Sequence, residues 1–328
     1  KLYNGEVLDV VIGEITDKTI VVNYQFVGGG TIEQDIDRST VECLLFKTVV
    51  NERSEQILSS LKKLFPAMRT YTEGNITIIT DSYITWVRKY KSALLRVNTD
   101  IYCTFFELFK GRKPSAQHFV VIFDDPMSYI EYAISDGVPG WIAPGYFSPQ
   151  AHVLYLFNMA GETMEEQIKG LMKNYYGGSI DIAVDRVKQG VDDRYHDFLE
   201  GSAQDIKNKF WEYFDWWIAA LRRTTFAILR HEFTHEIFSN YGVQMIAASK
   251  FDQKVFPDLE KKKKFLNTDD PDEKSKFLMD LITMKSKETL PDLSAANSWL
   301  VEGVATYCET DPFGSKNEER IYSYQEMI

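Results

Sequence analysis

The segment KFWEYFDWWIAALRRTTFAILRHEFTHEIFSN, residues 209–240, contains thirty-two residues without a glycine or a proline. Because these two residues are the poorest helix formers, their absence over such a length predicts one long helix. Gly242 follows directly and is a typical helix stop. The segment therefore predicts that the C-terminal half of the chain is built around a single long helix.

Two histidines lie four residues apart near the end of this predicted helix, His231 and His235. Residues at this spacing share one helix face, so both imidazoles can be directed at one point. Zinc accepts nitrogen ligands at about 2.0–2.1 Å, which suits such a pair. Glu232 is offset by one residue and is better placed to act as a general base on a water molecule beside the metal.

A satisfied pair of core histidines is the alternative interpretation. The helix face that carries them continues through Ala227, Ile228 and Phe238, so the histidines are predicted to face inward, where they need polar partners. A third ligand separates the two interpretations, because catalytic zinc sites keep three protein ligands and one open position.

The candidate third ligand is Glu302, in the segment NSWLVEGVATYCE at residues 297–309. This segment predicts a second helix with mainly apolar positions. A carboxylate among apolar neighbours is costly unless it is paired or bound to a metal. We therefore predict that Glu302 completes the site; an ion pair with Arg222 or Arg223 on the long helix is the alternative.

HEFTH followed by WLVEGVATY resembles the gluzincin metallopeptidases of the thermolysin and aminopeptidase-N type. It is also similar to uncharacterised bacterial gluzincin-like domains, in which a strand pair like GYFSPQAHVLYLFN precedes the motif. The resemblance covers about residues 72–328. It implies that His231, His235 and Glu302 bind zinc and that Glu232 is the catalytic base.

The chain also departs from these families. Sixty-six residues separate His235 from Glu302, a longer link than in the aminopeptidases. The aminopeptidase segment Gly-Ala-Met-Glu-Asn is missing from the sequence, so recognition of a substrate amino terminus is not implied. The acid that follows the third ligand by four residues in thermolysin is Thr306 here, which leaves the partner of the zinc-binding histidines unassigned.

The predicted fold class is α+β. Closely spaced β-branched runs predict a small β module at residues 1–47, and residues 48–328 are expected to form a zincin-like domain with a mixed sheet followed by helices. The resemblance implies an edge strand that pairs with substrate, and HVLYLFN, residues 152–158, is our candidate for it. Four side chains are candidate donors to a transition-state oxyanion: Tyr146, His152, Tyr241 and Tyr307.

The composition limits the classes of binding partner that we expect. The net charge of −11 argues against nucleic acid and anionic membranes. The sequence contains no apolar run long enough for a transmembrane helix. Because it begins without a methionine or a signal-like segment, we expect a trimmed protein, periplasmic or secreted rather than cytoplasmic. The predicted activity is zinc-dependent hydrolysis of a peptide or protein substrate; the alternative is a noncatalytic zinc-binding or scaffold module at the cell envelope.

Overall fold

The structure, a computed structural model, describes the following residues: 1–25, 30–136, 138, 144–159, 161–175, 203–243, 259–268, 270–276 and 298–310. Within these ranges a three-stranded sheet precedes a mixed five-stranded sheet, and helices cover both faces of the larger sheet. The predicted α+β class is confirmed.

The N-terminal sheet is a simple antiparallel meander. Its strands are β1 (Val11–Ile15), β2 (Thr19–Gln25) and β3 (Thr31–Asp37), followed by a short 3-10 turn at Arg38–Thr40. The inner face of β2 is buried against a side chain of the second helix, Cys103. The predicted N-terminal β-sheet is thus confirmed, and the domain boundary at residue 47 stays a prediction.

The larger sheet has the strand order β4-β5-β6-β8-β7. The three inner strands are parallel, and the two outer strands run antiparallel to them. Their bounds are β4 (Arg69–Glu73), β5 (Ile76–Thr80), β6 (His118–Phe123), β7 (Gly145–Ser148) and β8 (Val153–Phe157). Sequence analysis missed β4, whose residues RTYTE carry no aliphatic side chain.

The edge-strand prediction for residues 152–158 was wrong. These residues form β8, which lies between β6 and β7, and each of its five positions is buried. A continuous apolar run such as VLYLF is typical of an inner strand covered on both faces. The edge strand on this side of the sheet is β7, which precedes β8 in the hairpin.

The stretch from Ile84 to Phe109 forms two helices, which are separated at Phe105, where φ is −112° and ψ is 28°. A helical segment also spans residues 271–276. The helices are α1 (Glu52–Leu64), α2 (Ile84–Thr104), α3 (Phe106–Phe109), α4 (Pro126–Ser135), α5 (Glu162–Tyr175), α6 (Ala203–Asn240), α7 (Leu259–Leu266) and α8 (Ser298–Cys308).

Alternate strand residues divide the core into two layers. Leu154 and Leu156 pack in one layer with residues of α2, α6 and α8, whereas Val153 and Tyr155 pack in the other with residues of α1 and α4. Helix α7 also contacts α1 and α4. The two helices that carry the candidate ligands, α6 and α8, therefore share one face of the sheet, and α6 lies against β7 and β8.

Candidate metal centre

The orientation of α6 is set by its apolar side chains. Leu229, Phe233 and Ile237 recur every four residues and are fully buried in the core. This stripe holds one side of the helix against the sheet. His231 and His235 lie beside the stripe and keep 13% and 9% of their side-chain surface exposed. The helix ends where Gly242 adopts a positive φ of 67°, as the sequence predicts.

Three candidate ligands from two helices meet at one point. The Nε2 atoms of His231 and His235 are 3.2 Å apart. The carboxylate of Glu302, on α8, places Oε2 3.3 Å from Nε2 of His231 and Oε1 3.4 Å from Nε2 of His235. Among the described residues this is the one group of three or more ligand side chains close enough to share an ion.

These distances suit a tetrahedral zinc ion. Ligand atoms bound at about 2.0–2.1 Å to a tetrahedral centre lie about 3.3–3.4 Å from one another. The 3.2 Å between the two imidazole nitrogens agrees with that spacing, and each nitrogen has one oxygen of the Glu302 carboxylate at 3.3 or 3.4 Å. Two imidazole nitrogens and one carboxylate oxygen form a common donor set for a catalytic zinc site. The residues present therefore fit the ion that the sequence implies.

The environment of Glu302 differs from the sequence expectation. Its side chain is 61% exposed, so it is not a carboxylate enclosed by apolar neighbours. The side chain lies on the open side of α8, where water as well as the two histidines can reach it. Of the two arginines considered as alternative partners, Arg222 lies 3.5 Å from Glu165 and above the ring of Trp86, and the pairing with Arg223 stays a prediction.

Glu309 is a functional candidate that sequence analysis missed. It lies directly after α8 and is buried, and its Oε1 is 2.8 Å from Nδ1 of His231. A carboxylate at Nδ1 holds the proton on that nitrogen and leaves Nε2 free to bind a metal. Burial opposes a charge on His231, but the hydrogen bond to Glu309 and the nearby carboxylates outweigh it and raise the pKa of the imidazole. Glu309 follows Glu302 by seven positions, about two helical turns, and that spacing was the available signal.

Glu232 contacts the edge strand. Its Oε2 accepts a hydrogen bond of 2.8 Å from the backbone N–H of Phe147 in β7. Burial raises the pKa of the carboxyl to about 7, although the neighbouring His231 and the hydrogen bond from Phe147 act to lower it. A pKa in this range suits a group that must accept and release a proton near neutral pH.

A glycine allows the edge strand β7 to approach α6. A Cβ atom on Gly145 would lie 2.8 Å from Cγ2 of Ile228 on α6 and 2.9 Å from Cδ1 of Leu156. Both distances are shorter than van der Waals contact, so a side chain at this position would push β7 and α6 apart. Ile228 lies one turn before Glu232, so the contact between β7 and Glu232 depends on this close approach.

Three of the four candidate oxyanion donors are buried in other contacts. Tyr146 donates to Asp136 at 3.1 Å, Tyr241 packs against aromatic rings of the core, and His152 is only 4% exposed. Tyr307, on α8, is 46% exposed. The role of Tyr307 as a donor to the oxyanion stays a prediction.

No match was found for this chain among known family models, curated proteins or solved structures. Of the helices in the described ranges, each is too short or too polar to span a bilayer. The arguments for a function therefore come from the residues and the geometry of the site.

Proposed function

We propose that this protein is a zinc-dependent peptidase whose metal is bound by His231, His235 and Glu302. The observation that supports this most strongly is the meeting of two imidazole nitrogens, 3.2 Å apart, with the Glu302 carboxylate, whose two oxygens lie 3.3 and 3.4 Å from them. Glu232, a carboxylate that is not among these three candidate ligands, follows His231 directly. When bound, zinc lowers the pKa of water and polarises a carbonyl group. Glu232 supplies the complementary acid–base chemistry.

Glu232 acts as the proton carrier in the proposed reaction. It accepts one proton from the water molecule that attacks the scissile carbonyl carbon, and it passes that proton to the amine that leaves as the C–N bond breaks. The hydrogen bond from Phe147 orients the carboxylate, and its burial keeps the pKa near 7. Water is thus consumed and one new carboxyl and one new amino group are released.

The edge strand β7 is the proposed support for the substrate backbone. Since the N–H of Phe147 points to Glu232 and not to β8, Phe147 and Leu154 form a non-hydrogen-bonded pair of the antiparallel hairpin. In such a pair the carbonyl oxygen of Phe147 also points away from β8. An extended peptide can pair with a strand edge of this kind, directly beside the proposed base.

A peptide-library digest read by mass spectrometry tests the proposal. Wild-type protein with one equivalent of zinc is compared with chelator-treated protein and with Glu232→Gln. We expect Glu232→Gln to keep its zinc and to lose cleavage by about 10²–10⁴-fold, because it cannot carry the proton. Glu55→Gln, at an exposed position on α1, is the matched control and should cleave like wild type.

Three outcomes decide the matter. Cleavage that survives both the chelator and Glu232→Gln would contradict the proposal. A protein that holds one zinc but cleaves nothing would be a noncatalytic zinc-binding module instead. A protein that does not bind zinc would leave the histidine pair with a purely structural role.

A further inference from the structure

A second polar contact of α6 lies on its buried side. Glu236 follows the ligand His235 directly and is only 1% exposed. Its Oε1 accepts a hydrogen bond of 2.9 Å from the backbone N–H of Phe119, in β6, and lies 3.5 Å from Nδ1 of His118. The metal helix is thus joined to an inner strand of the sheet by a side chain next to a ligand.

Asn240, one turn further along α6, contacts the same strand. Its Nδ2 donates to the carbonyl of Ala116 at 2.6 Å, and its Oδ1 accepts from the N–H of Ala116 at 2.8 Å. Asn240 therefore joins the end of the helix to the residues just before β6. The two contacts differ in one respect: Glu236 adjoins a ligand, whereas Asn240 lies five residues beyond it.

The buried acid is a costly way to fix a helix. A buried carboxylate is unfavourable unless hydrogen bonds or an ion pair satisfy it, and the Oε2 atom of Glu236 has no hydrogen-bond partner in the described part of the chain. Asn240, a neutral residue, makes two hydrogen bonds to one backbone unit without that cost. Asn240 thus attaches the end of the helix, and Glu236 makes a separate attachment directly beside a candidate ligand.

Helix geometry connects Glu236 to the metal centre. Successive residues of an α-helix are rotated by about 100°, so a contact that fixes residue 236 also fixes the direction of residue 235. A rotation of about 10° moves an atom at the helix surface, about 5–6 Å from the axis, by about 1 Å. Displacements of that size at a reacting centre cost about 10²-fold in rate.

We propose that Glu236 is a positioning residue, which sets the rotation of α6 against β6 and thereby aims His235 at His231 and Glu302. This inference rests on the proposed metal site but not on catalysis. The reach of the side chain matters here, because the hydrogen bond to Phe119 spans a fixed gap. The charge of the side chain is not what positions the helix.

A pair of variants separates reach from charge. Glu236→Gln keeps the length and the acceptor oxygen but loses the charge, and Glu236→Asp keeps the charge but shortens the side chain by one methylene. Zinc affinity is measured by competition with a chromophoric chelator, and ligand geometry by the visible spectrum of the Co²⁺-substituted protein. Both readouts are independent of peptide cleavage.

We expect Glu236→Asp to bind zinc about tenfold more weakly than wild type, with a shifted Co²⁺ spectrum. Glu236→Gln should stay within about twofold of wild type in zinc affinity and keep its spectrum. The control is Asn240→Ala, which removes the other attachment of the helix: its melting temperature should fall while its zinc affinity stays within about twofold.

The alternatives give different results. Wild-type affinity in Glu236→Asp, or an equal loss in both Glu236 variants, would overturn the positioning role. So would a loss of zinc affinity in Asn240→Ala that matches the loss in Glu236→Asp, since general destabilisation would then explain both. If wild type itself bound no zinc, the proposed function and this inference would fail together, whereas absent cleavage with bound zinc would remove only the peptidase activity.

Discussion

Two histidine–glutamate pairs each include one residue of α6, and they differ in solvent exposure. We call His231–Glu309 the open pair and His118–Glu236 the closed pair. His231 and Glu309 are joined at 2.8 Å at the margin of the core, where His231 keeps 13% of its side chain exposed. His118 and Glu236 are 3.5 Å apart and fully enclosed, at 0% and 1% exposure. The residue types are the same, but among the described residues only the first pair lies beside other side chains that could hold a metal ion.

The two pairs differ in which partners their ring nitrogens and carboxylate oxygens contact. In the open pair, the carboxylate occupies Nδ1 of His231, and Nε2 is directed at the other ligands. In the closed pair, the carboxylate is occupied by a backbone N–H, and the imidazole lies against the side-chain amide of Asn240 and the ring of Phe233. The open pair therefore directs a ring nitrogen at other candidate ligands, and the closed pair does not.

Glu309→Ala is the largest expected perturbation of the open pair. Without the carboxylate at Nδ1, the imidazole of His231 loses its fixed tautomer and orientation. Loss of such a partner typically costs about 10–100-fold in metal affinity, and we expect zinc binding to weaken by that factor. Isothermal titration of the zinc-free protein measures it.

Glu309→Gln serves as its comparison, since the amide oxygen can still accept a hydrogen bond from Nδ1. This variant should lose less than Glu309→Ala. Zinc affinity in Glu309→Ala equal to that of wild type would show that the contact at 2.8 Å does not support the ligand.

Gly145→Ala disturbs the contact between β7 and α6 near Glu232, and it leaves the closed pair intact. The new Cβ would meet Ile228 at 2.8 Å, and overpacking of this kind costs about 1–3 kcal/mol. Because β7 must move away from α6, the hydrogen bond from Phe147 to Glu232 should lengthen. We expect cleavage to fall by about tenfold in kcat, with zinc affinity unchanged.

Gly170→Ala is the matched control, because a Cβ on this glycine of α5 would meet nothing within 4 Å. Alanine in a helix interior should stabilise the protein slightly. If Gly145→Ala had wild-type kcat, the close approach of β7 would be packing alone and would not orient the base.

The candidate ligands around the open pair were more predictable from the sequence than the closed pair was. His231, Glu232 and His235 follow from helical spacing, because a metal site near one helix face leaves a local pattern in the sequence. Glu302 came from its context, although its 61% exposure shows that the argument from burial was wrong. Glu309 stands two turns later and was overlooked.

The closed pair leaves no such pattern. His118 and Glu236 are 118 positions apart and meet only because β6 is an inner strand of the sheet. The same strand order decides which member of the β7–β8 hairpin is the edge strand. The prediction chose residues 152–158, the more apolar strand, and the edge strand is β7. Pairing between distant strands depends on the whole topology, so neither feature could be read from local periodicity.

The smallest expected effect concerns His152, a buried histidine between β7 and β8 whose pKa is influenced by His118 of the closed pair. Burial, helped by the charges of Arg53 and His118, lowers the pKa of His152 to about 4, below its ordinary value of 6.5. The unfolded chain therefore binds the proton first as the pH falls. The stability that the neutral imidazole contributes is fully present above pH 6.5 and is lost progressively as the pH falls toward 4.

His152→Asn should remove this dependence while keeping the backbone, since asparagine tolerates the positive φ of 54° found at this position. Between pH 6.5 and 5.5 we expect the free energy of unfolding of wild type to fall by about 1 kcal/mol more than that of the variant. Urea denaturation at both pH values measures the difference. Parallel losses in the two proteins would mean that the folded protein protonates His152 as readily as the unfolded chain does, which would contradict the effect of burial on its pKa.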